Sequence, residues 1–185
     1  LAVTNGHIGD FRFKGQPFQM QPQFFRNEGE ADFAELLGSR AGDYFQNEYL
    51  GRGLARLDWN RDGREEFAVS NIGTFASVTE NRTDTNHHWI AIQLRGVQAN
   101  RDAIGTFVEV HFAGRVQVAE LCGGDGFQTT NQRQLVFGLG TESEVDQIKI
   151  TWPNGLQQQF QGLPVDREWV FIEGDTVAHP RPADL

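Results

Sequence analysis

The sequence predicts an all-β chain. Apolar and polar residues alternate with a period of two through most of residues 86–175, and glycine-centred turns break that alternation at short intervals. A helical period is nearly absent; only Glu30 to Leu37 carries enough of one to suggest a turn or two of helix.

Taken in order, the first element is the strand-like Ala2-Val3-Thr4-Asn5, which recurs as Ala68-Val69-Ser70-Asn71. Each copy is followed by a segment ending in a charged residue and asparagine, Phe24-Phe25-Arg26-Asn27 and Val78-Thr79-Glu80-Asn81. Echoes that return in the same order suggest successive blades of a repeat architecture, whose terminal copies are commonly degenerate. The polar run from Asn81 to Asn86 reads as a link, which places a boundary near residue 85.

Beyond it, Ile90, Ile92 and Leu94 alternate with Ala91 and Gln93, and Val108, Val110 and Phe112 with Glu109 and His111. Val116 and Val118 follow a turn at Ala113-Gly114; Ile148, Ile150 and Trp152, then Leu156 to Phe160, then Trp169 to Ile172 complete the pattern. Gly96, Gly105, Gly123-Gly124, Gly138, Gly140, Pro153-Asn154-Gly155 and Gly162 supply the turns. About seven short strands so punctuated predict a β-sandwich or barrel. The segment 176–185, with its two prolines, reads as a loose tail.

Composition narrows the function. Of 185 residues, 38% are hydrophobic, including 15 Phe and 4 Trp, which is enough for a core. The formal charge of −9 repels phosphate backbones, so nucleic acid is not an expected partner, whereas divalent cations are favoured where carboxylates converge. No apolar run approaches the roughly 18 residues of a membrane helix, so membrane insertion is not expected. The single cysteine, Cys122, excludes an intrachain disulfide and reads as a buried structural thiol. The chain opens within a strand-like segment without an initiator Met, as expected of a fragment from a longer protein.

One segment carries chemistry: Asp58-Trp59-Asn60-Arg61-Asp62-Gly63-Arg64-Glu65-Glu66. Asp58, Asn60 and Asp62 place oxygen donors at alternate positions, Gly63 permits a sharp turn, Arg64 offers a backbone carbonyl, and Glu66 can close the shell. That hard-oxygen, high-coordination set suits Ca²⁺ better than zinc, copper or magnesium. The closing carboxylate follows the glycine by three residues and runs into Phe67-Ala68-Val69, so the loop enters a strand and is not an EF-hand. The alternative is an acidic turn in which the Asp side chains bond backbone amides. Arg61 and Arg64 lower the expected affinity.

Gly51-Arg52-Gly53-Leu54-Ala55 through Asn71 resembles an FG-GAP or VCBS repeat, the integrin-like β-propeller blade with an embedded calcium loop. Downstream, Asn100-Arg101-Asp102-Ala103-Ile104-Gly105, Gly123-Gly124-Asp125-Gly126-Phe127, Phe137-Gly138-Leu139-Gly140 and Trp152-Pro153-Asn154-Gly155 resemble the ASPIC/UnbV domain of proteins similar to cartilage acidic protein and its bacterial relatives. The resemblance spans Leu1 to about Asp175. It implies a terminal blade segment over 1–85, the last of a β-propeller, then a β-sandwich-like domain over 86–175.

The resemblance also implies an extracellular or periplasmic setting, calcium in the blade loop, adhesion or recognition, and no catalysis. The family's calcium positions fall on Asp58, Asn60, Asp62, the carbonyl of Arg64 and Glu66, the last where the family usually has Asp. The expected partner is an extracellular protein or polysaccharide, with self-association through an uncovered blade face.

Other candidates carry less. His87-His88 point to opposite faces of a strand and lack a third ligand in register. Gly123-Gly124-Asp125-Gly126 lacks the lysine and helix of a phosphate loop and reads as a hairpin or bulge. Asp102, Glu109, Glu120 and Asp125 could supply the carboxylate pair of a glycan-acting enzyme, the competing functional class, or of its carbohydrate-binding accessory. Tyr44, Phe45, Tyr49, Trp59 and Phe127 are aromatics that could stack on sugar rings.

Overall fold

The computed structural model describes residues 1–181. It is all-β, with 42% of residues in strands against 6% in helix. The described chain divides into two compact units. One comprises Leu1–Arg56, Glu66–Glu80 and Asp125–Asn131; the other comprises Leu57–Glu65, Asn81–Gly124 and the chain from Gln132 onward.

In the first unit, β1 (Ala2–Val3), β2 (Gln23–Gly29) and β3 (Asp32–Leu36) form a three-stranded antiparallel sheet. The segment Glu30 to Leu37, expected to have a helical turn, is instead a hairpin return. Glu30 (φ 50°) and Ala31 (φ 63°) take left-handed backbone, the geometry that reverses a twisted hairpin, and pair Phe24 with Leu36 and Phe25 with Glu35. A short helix α1 (Gly38–Ala41) and a 3₁₀ turn (Asp43–Gln46) lead to a second three-stranded sheet of β4 (Gly51–Leu57), β5 (Glu66–Asn71) and β6 (Ser77–Val78). Its buried apolar residues are Phe45, Leu50 and Val69, and Phe45 takes the edge of the Phe24 ring at 5.6 Å.

The second unit is built on two four-stranded sheets. Its strands are β7 (His88–Arg95), β8 (Phe107–Phe112), β9 (Arg115–Glu120), β10 (Leu135–Gly140), β11 (Gln147–Thr151), β12 (Gln157–Phe160), β13 (Arg167–Ile172) and β14 (His179–Pro180). One sheet runs β10-β7-β13-β14 and the other β12-β11-β8-β9. In β7, β8 and β11 the alternation read from the sequence is the inward face: Ile90 and Ile92, Val108 and Val110, Ile148 and Ile150 are all fully buried with Phe171, whereas Val116 and Val118 of β9, read in the same pattern, are exposed. A two-residue turn of left-handed Ala113 and Gly114 joins β8 to β9 as expected. β7 pairs antiparallel with β10 but parallel with β13, matching Ile90 to Arg167 through Arg95 to Ile172.

The expected loose tail is tied down along its first part. Trp169 pairs with Pro180 and Val170 with His179, and the Arg181 amide donates to the Glu168 carbonyl at 3.0 Å. Residues 182–185 of that tail lie outside the described residues. No helix among the described residues is long and apolar enough to cross a membrane.

Candidate functional site

The segment that leaves β4 turns back on itself through its own side chains. Asp58, only 2% exposed, accepts the Asp62 amide on Oδ1 at 3.1 Å and the Gly63 amide on Oδ2 at 3.0 Å. Asn60 Oδ1 accepts the Asp62 amide at 3.2 Å, and Asp62 Oδ1 accepts the Arg64 amide at 2.9 Å. The Asp58 amide is itself held by Gln132 Oε1 at 2.7 Å. Gly63 is required here: its φ is +80°, and a Cβ would fall 2.1 Å from the Trp89 ring. Burial pushes the Asp58 carboxyl above the ordinary aspartate range, and the amides of Gly63 and Asp62 pull it part of the way back.

The structure therefore brings Asp58, Asn60, Asp62 and Arg64 into one turn. Glu66 heads β5 in the first unit, where it is 1% exposed. The donor chemistry, carboxylate and amide oxygens with a following backbone carbonyl, is that of a hard divalent cation. The hydrogen bonds are those of the acidic turn named as the alternative, and among the described residues no three His, Cys, Asp or Glu side chains are grouped as a metal site.

The loop's two arginines have separate assignments. Arg64 donates from its guanidinium to Asp62 Oδ2, which also accepts Asn60 Nδ2 at 2.8 Å. Its Nε reaches the Asn81 carbonyl at 3.0 Å, and Asn81 Nδ2 returns to the Glu65 carbonyl at 3.2 Å. Arg61 points elsewhere, with Nε 3.8 Å from Glu168 Oε2; the other oxygen of Glu168 accepts Arg181 Nη1 at 2.6 Å.

The second unit holds two polar centres that the sequence reading did not single out. Glu173 Oε2 accepts three consecutive amides, Val97 at 2.6 Å, Gln98 at 2.7 Å and Ala99 at 2.8 Å, while Oε1 accepts Asn154 Nδ2. Burial alone would raise this carboxyl; the amides outweigh it and hold Glu173 below the usual glutamate range. A depression of about 340 Å³ opens beside it, lined by Val97, Gln98, Asn154, Leu156, Glu173 and Gly174. The second centre is His88, whose Nδ1 lies 2.7 Å from Asp166 Oδ2. His88 thus has the carboxylate neighbour that adjacency to His87 did not suggest. Local spacing does not announce either centre, because the three amides on Glu173 and the carboxylate on His88 each come from more than seventy residues away.

Three of the four carboxylates considered for glycan chemistry have partners of their own. Asp102 pairs with Arg133, Glu109 with Lys149 at 2.9 Å and His111 at 3.2 Å, and Asp125 accepts Asn131 Nδ2 at 2.6 Å. The segment Asp125–Asn131 is part of the first unit, and the run from Gly123 forms no regular hairpin, only an isolated bridge between Gly126 and Thr129. Cys122 is exposed, where a buried thiol was expected; its neighbour Leu121 takes the place in the core. Of the aromatics, Trp59 (58% exposed) and Phe127 (65%) stand out to solvent, whereas Phe45 is core and Tyr44 stacks on Tyr49 at 4.9 Å.

An all-β protein with an acidic, strand-entering turn is the class that fold and site define. Within it, residues 96–178 match the model of the family described as ASPIC and UnbV. That stretch runs from the turn after β7 to the approach to β14. No curated protein matches the chain.

Proposed function

We propose that this chain is a calcium-stabilised recognition module that works outside the cytoplasm, binding a protein or polysaccharide and performing no catalysis. The observation that carries the reading is the Asp58–Arg64 turn. It buries an aspartate whose ionised form lacks solvent, and it gathers oxygen donors at alternate positions just before a strand. A desolvated carboxylate gains most from a cation that replaces its lost hydration. In the bound state Asp58, Asn60, Asp62 and the Arg64 carbonyl would hold calcium, with Glu66 added on sequence spacing. Calcium would supply charge neutralisation and fix the turn.

The FG-GAP or VCBS blade reading of residues 1–85 rests on the sequence motif. Two small antiparallel sheets in the first unit are compatible with it. Trp59 of the second unit and Phe127 of the first each present, separately, an exposed aromatic face of the kind that a glycan or protein partner uses.

The test is thermal melting after chelation and after adding back calcium, magnesium or zinc, for the natural chain and an Asp58→Ala, Asp62→Ala variant. Extracellular calcium modules bind at roughly 0.1–1 mM, so about 10 mM calcium is sufficient. At about 100 times the dissociation constant the expected stabilisation is roughly 2.7 kcal/mol, a rise of several degrees. The rise should be specific to calcium and missing in the variant. An equal melt under every condition would retire the metal reading and leave the loop an acidic turn.

A further inference from the structure

Among the described residues, the acidic loop carries a cation of its own on one of its carboxylates. Between Asp58 and Arg64 there are two carboxylates, Asp58 and Asp62, and two guanidiniums, Arg61 and Arg64. Arg61 is directed to Glu168. Arg64 turns back onto the loop and donates to Asp62 Oδ2. The same side chain forks to the Asn81 carbonyl through Nε, so its position is fixed from two directions.

We infer that Arg64 is the loop's resident cation, and that divalent binding here is an exchange in which the ion displaces the guanidinium from Asp62. The inference rests on the calcium reading above and adds how that site is regulated. The exchange has a defined inventory. Asp62 Oδ2 gives up the Arg64 guanidinium and Asn60 Nδ2. Asn60 turns its amide so that the oxygen faces the ion, and Asp62 Oδ1 can keep the Arg64 amide. Arg64 then loses its carboxylate partner, leaving the Asn81 carbonyl as its remaining anchor. Affinity is thus set low by a competitor that never dilutes away. The loop also keeps a folded form without metal, because the guanidinium and the backbone amides satisfy its carboxylates.

The experiment uses the full chain, stripped of metal, as the natural protein, Arg64→Gln and Arg64→Lys. Calcium chloride is titrated calorimetrically while the Arg64 Nη–H resonances, which include the donor to Asp62, are followed by nuclear magnetic resonance. Removing one competing charge at a partly screened site should tighten calcium binding roughly tenfold in Arg64→Gln. Arg64→Lys, which keeps the charge, should stay near the natural affinity. In the natural chain the Nη–H signals should shift as calcium saturates. If the natural chain binds calcium and Arg64→Gln binds it no tighter, the exchange is overturned while the calcium reading stands. If folded natural and variant chains both ignore calcium, the calcium reading falls and takes the exchange with it. Should Arg64→Gln fail to fold, the natural chain decides: Nη–H signals unmoved across saturation overturn the exchange.

Discussion

Glu173 gathers three amides and an asparagine around one carboxylate, so its ionised form is far better solvated in the folded chain than its burial would suggest. Its pKa lies below the ordinary glutamate value of 4.5, which fixes the sign of its effect on stability. The contribution is fully present above the unfolded value and disappears as pH falls through the folded one. Glu173→Gln should therefore melt lower than the natural chain at pH 7, with the gap closing between about pH 5 and strongly acidic conditions. A gap constant from pH 7 to pH 3 in parallel melts would show that the neutral side chain serves equally well. Like Arg64 on Asp62, this contact joins groups whose proximity depends on backbone that no local motif encodes. The loop composition at Asp58 to Glu66 was legible from spacing alone; the guanidinium paired with its third position was not. The reason is that a side chain two residues away can face the ion or the partner carboxylate, and only the turn's dihedral angles decide.

β8 and β11 were legible because each has one face in the core, so that Val108, Val110, Ile148 and Ile150 spell out a period of two, as Ile90 and Ile92 do in β7. β10 was harder: Gly138 and Gly140 interrupt its alternation, and only Phe137 and Leu139 mark the buried side. The β2–β3 hairpin was misread because its turn uses Glu30 and Ala31, not the Asn-Gly that usually signals left-handed backbone. β14 was missed because a two-residue strand containing proline has almost no pattern to show. What holds β14 is chemical: Glu168 is 7% exposed, and Arg181 donates to its Oε1 at 2.6 Å while Arg61 stands 3.8 Å from Oε2. Arg181→Ala should cost about 1–3 kcal/mol by leaving a buried carboxylate short of a partner. Chemical denaturation measures this directly, and an unchanged midpoint would mean that strand pairing alone secures the segment.

On the scale of the molecule, apolar burial is unevenly shared. The continuous core belongs to the second unit, whereas the first draws on Phe45, Leu50 and Val69 and leaves Ile8, Phe13 and Phe75 largely in solvent. Hydrogen exchange should follow that distribution, since local opening is easiest where few apolar contacts hold the backbone. Amides of β7, β8, β11 and β13 should exchange slowest, and those of β2 and β3 by at least about tenfold faster, the rate expected from an opening cost lower by roughly 1.4 kcal/mol. Uniform protection across all strands would show that the units open together.

The parallel pairing of β7 with β13 bears on how the chain is made. β7 is central in its sheet, yet one of its neighbours is translated long after it: His88 and Asp166, which meet at the head of that pairing, are 78 residues apart. While the ribosome is still adding the intervening hairpins, Ile90, Ala91 and Ile92 emerge with a bare edge. That edge can recruit β13 only once the nascent chain has delivered it, and non-local pairing of this kind is slow. Production at reduced translation rate would lengthen that exposure, making this strand a chaperone's natural point of engagement.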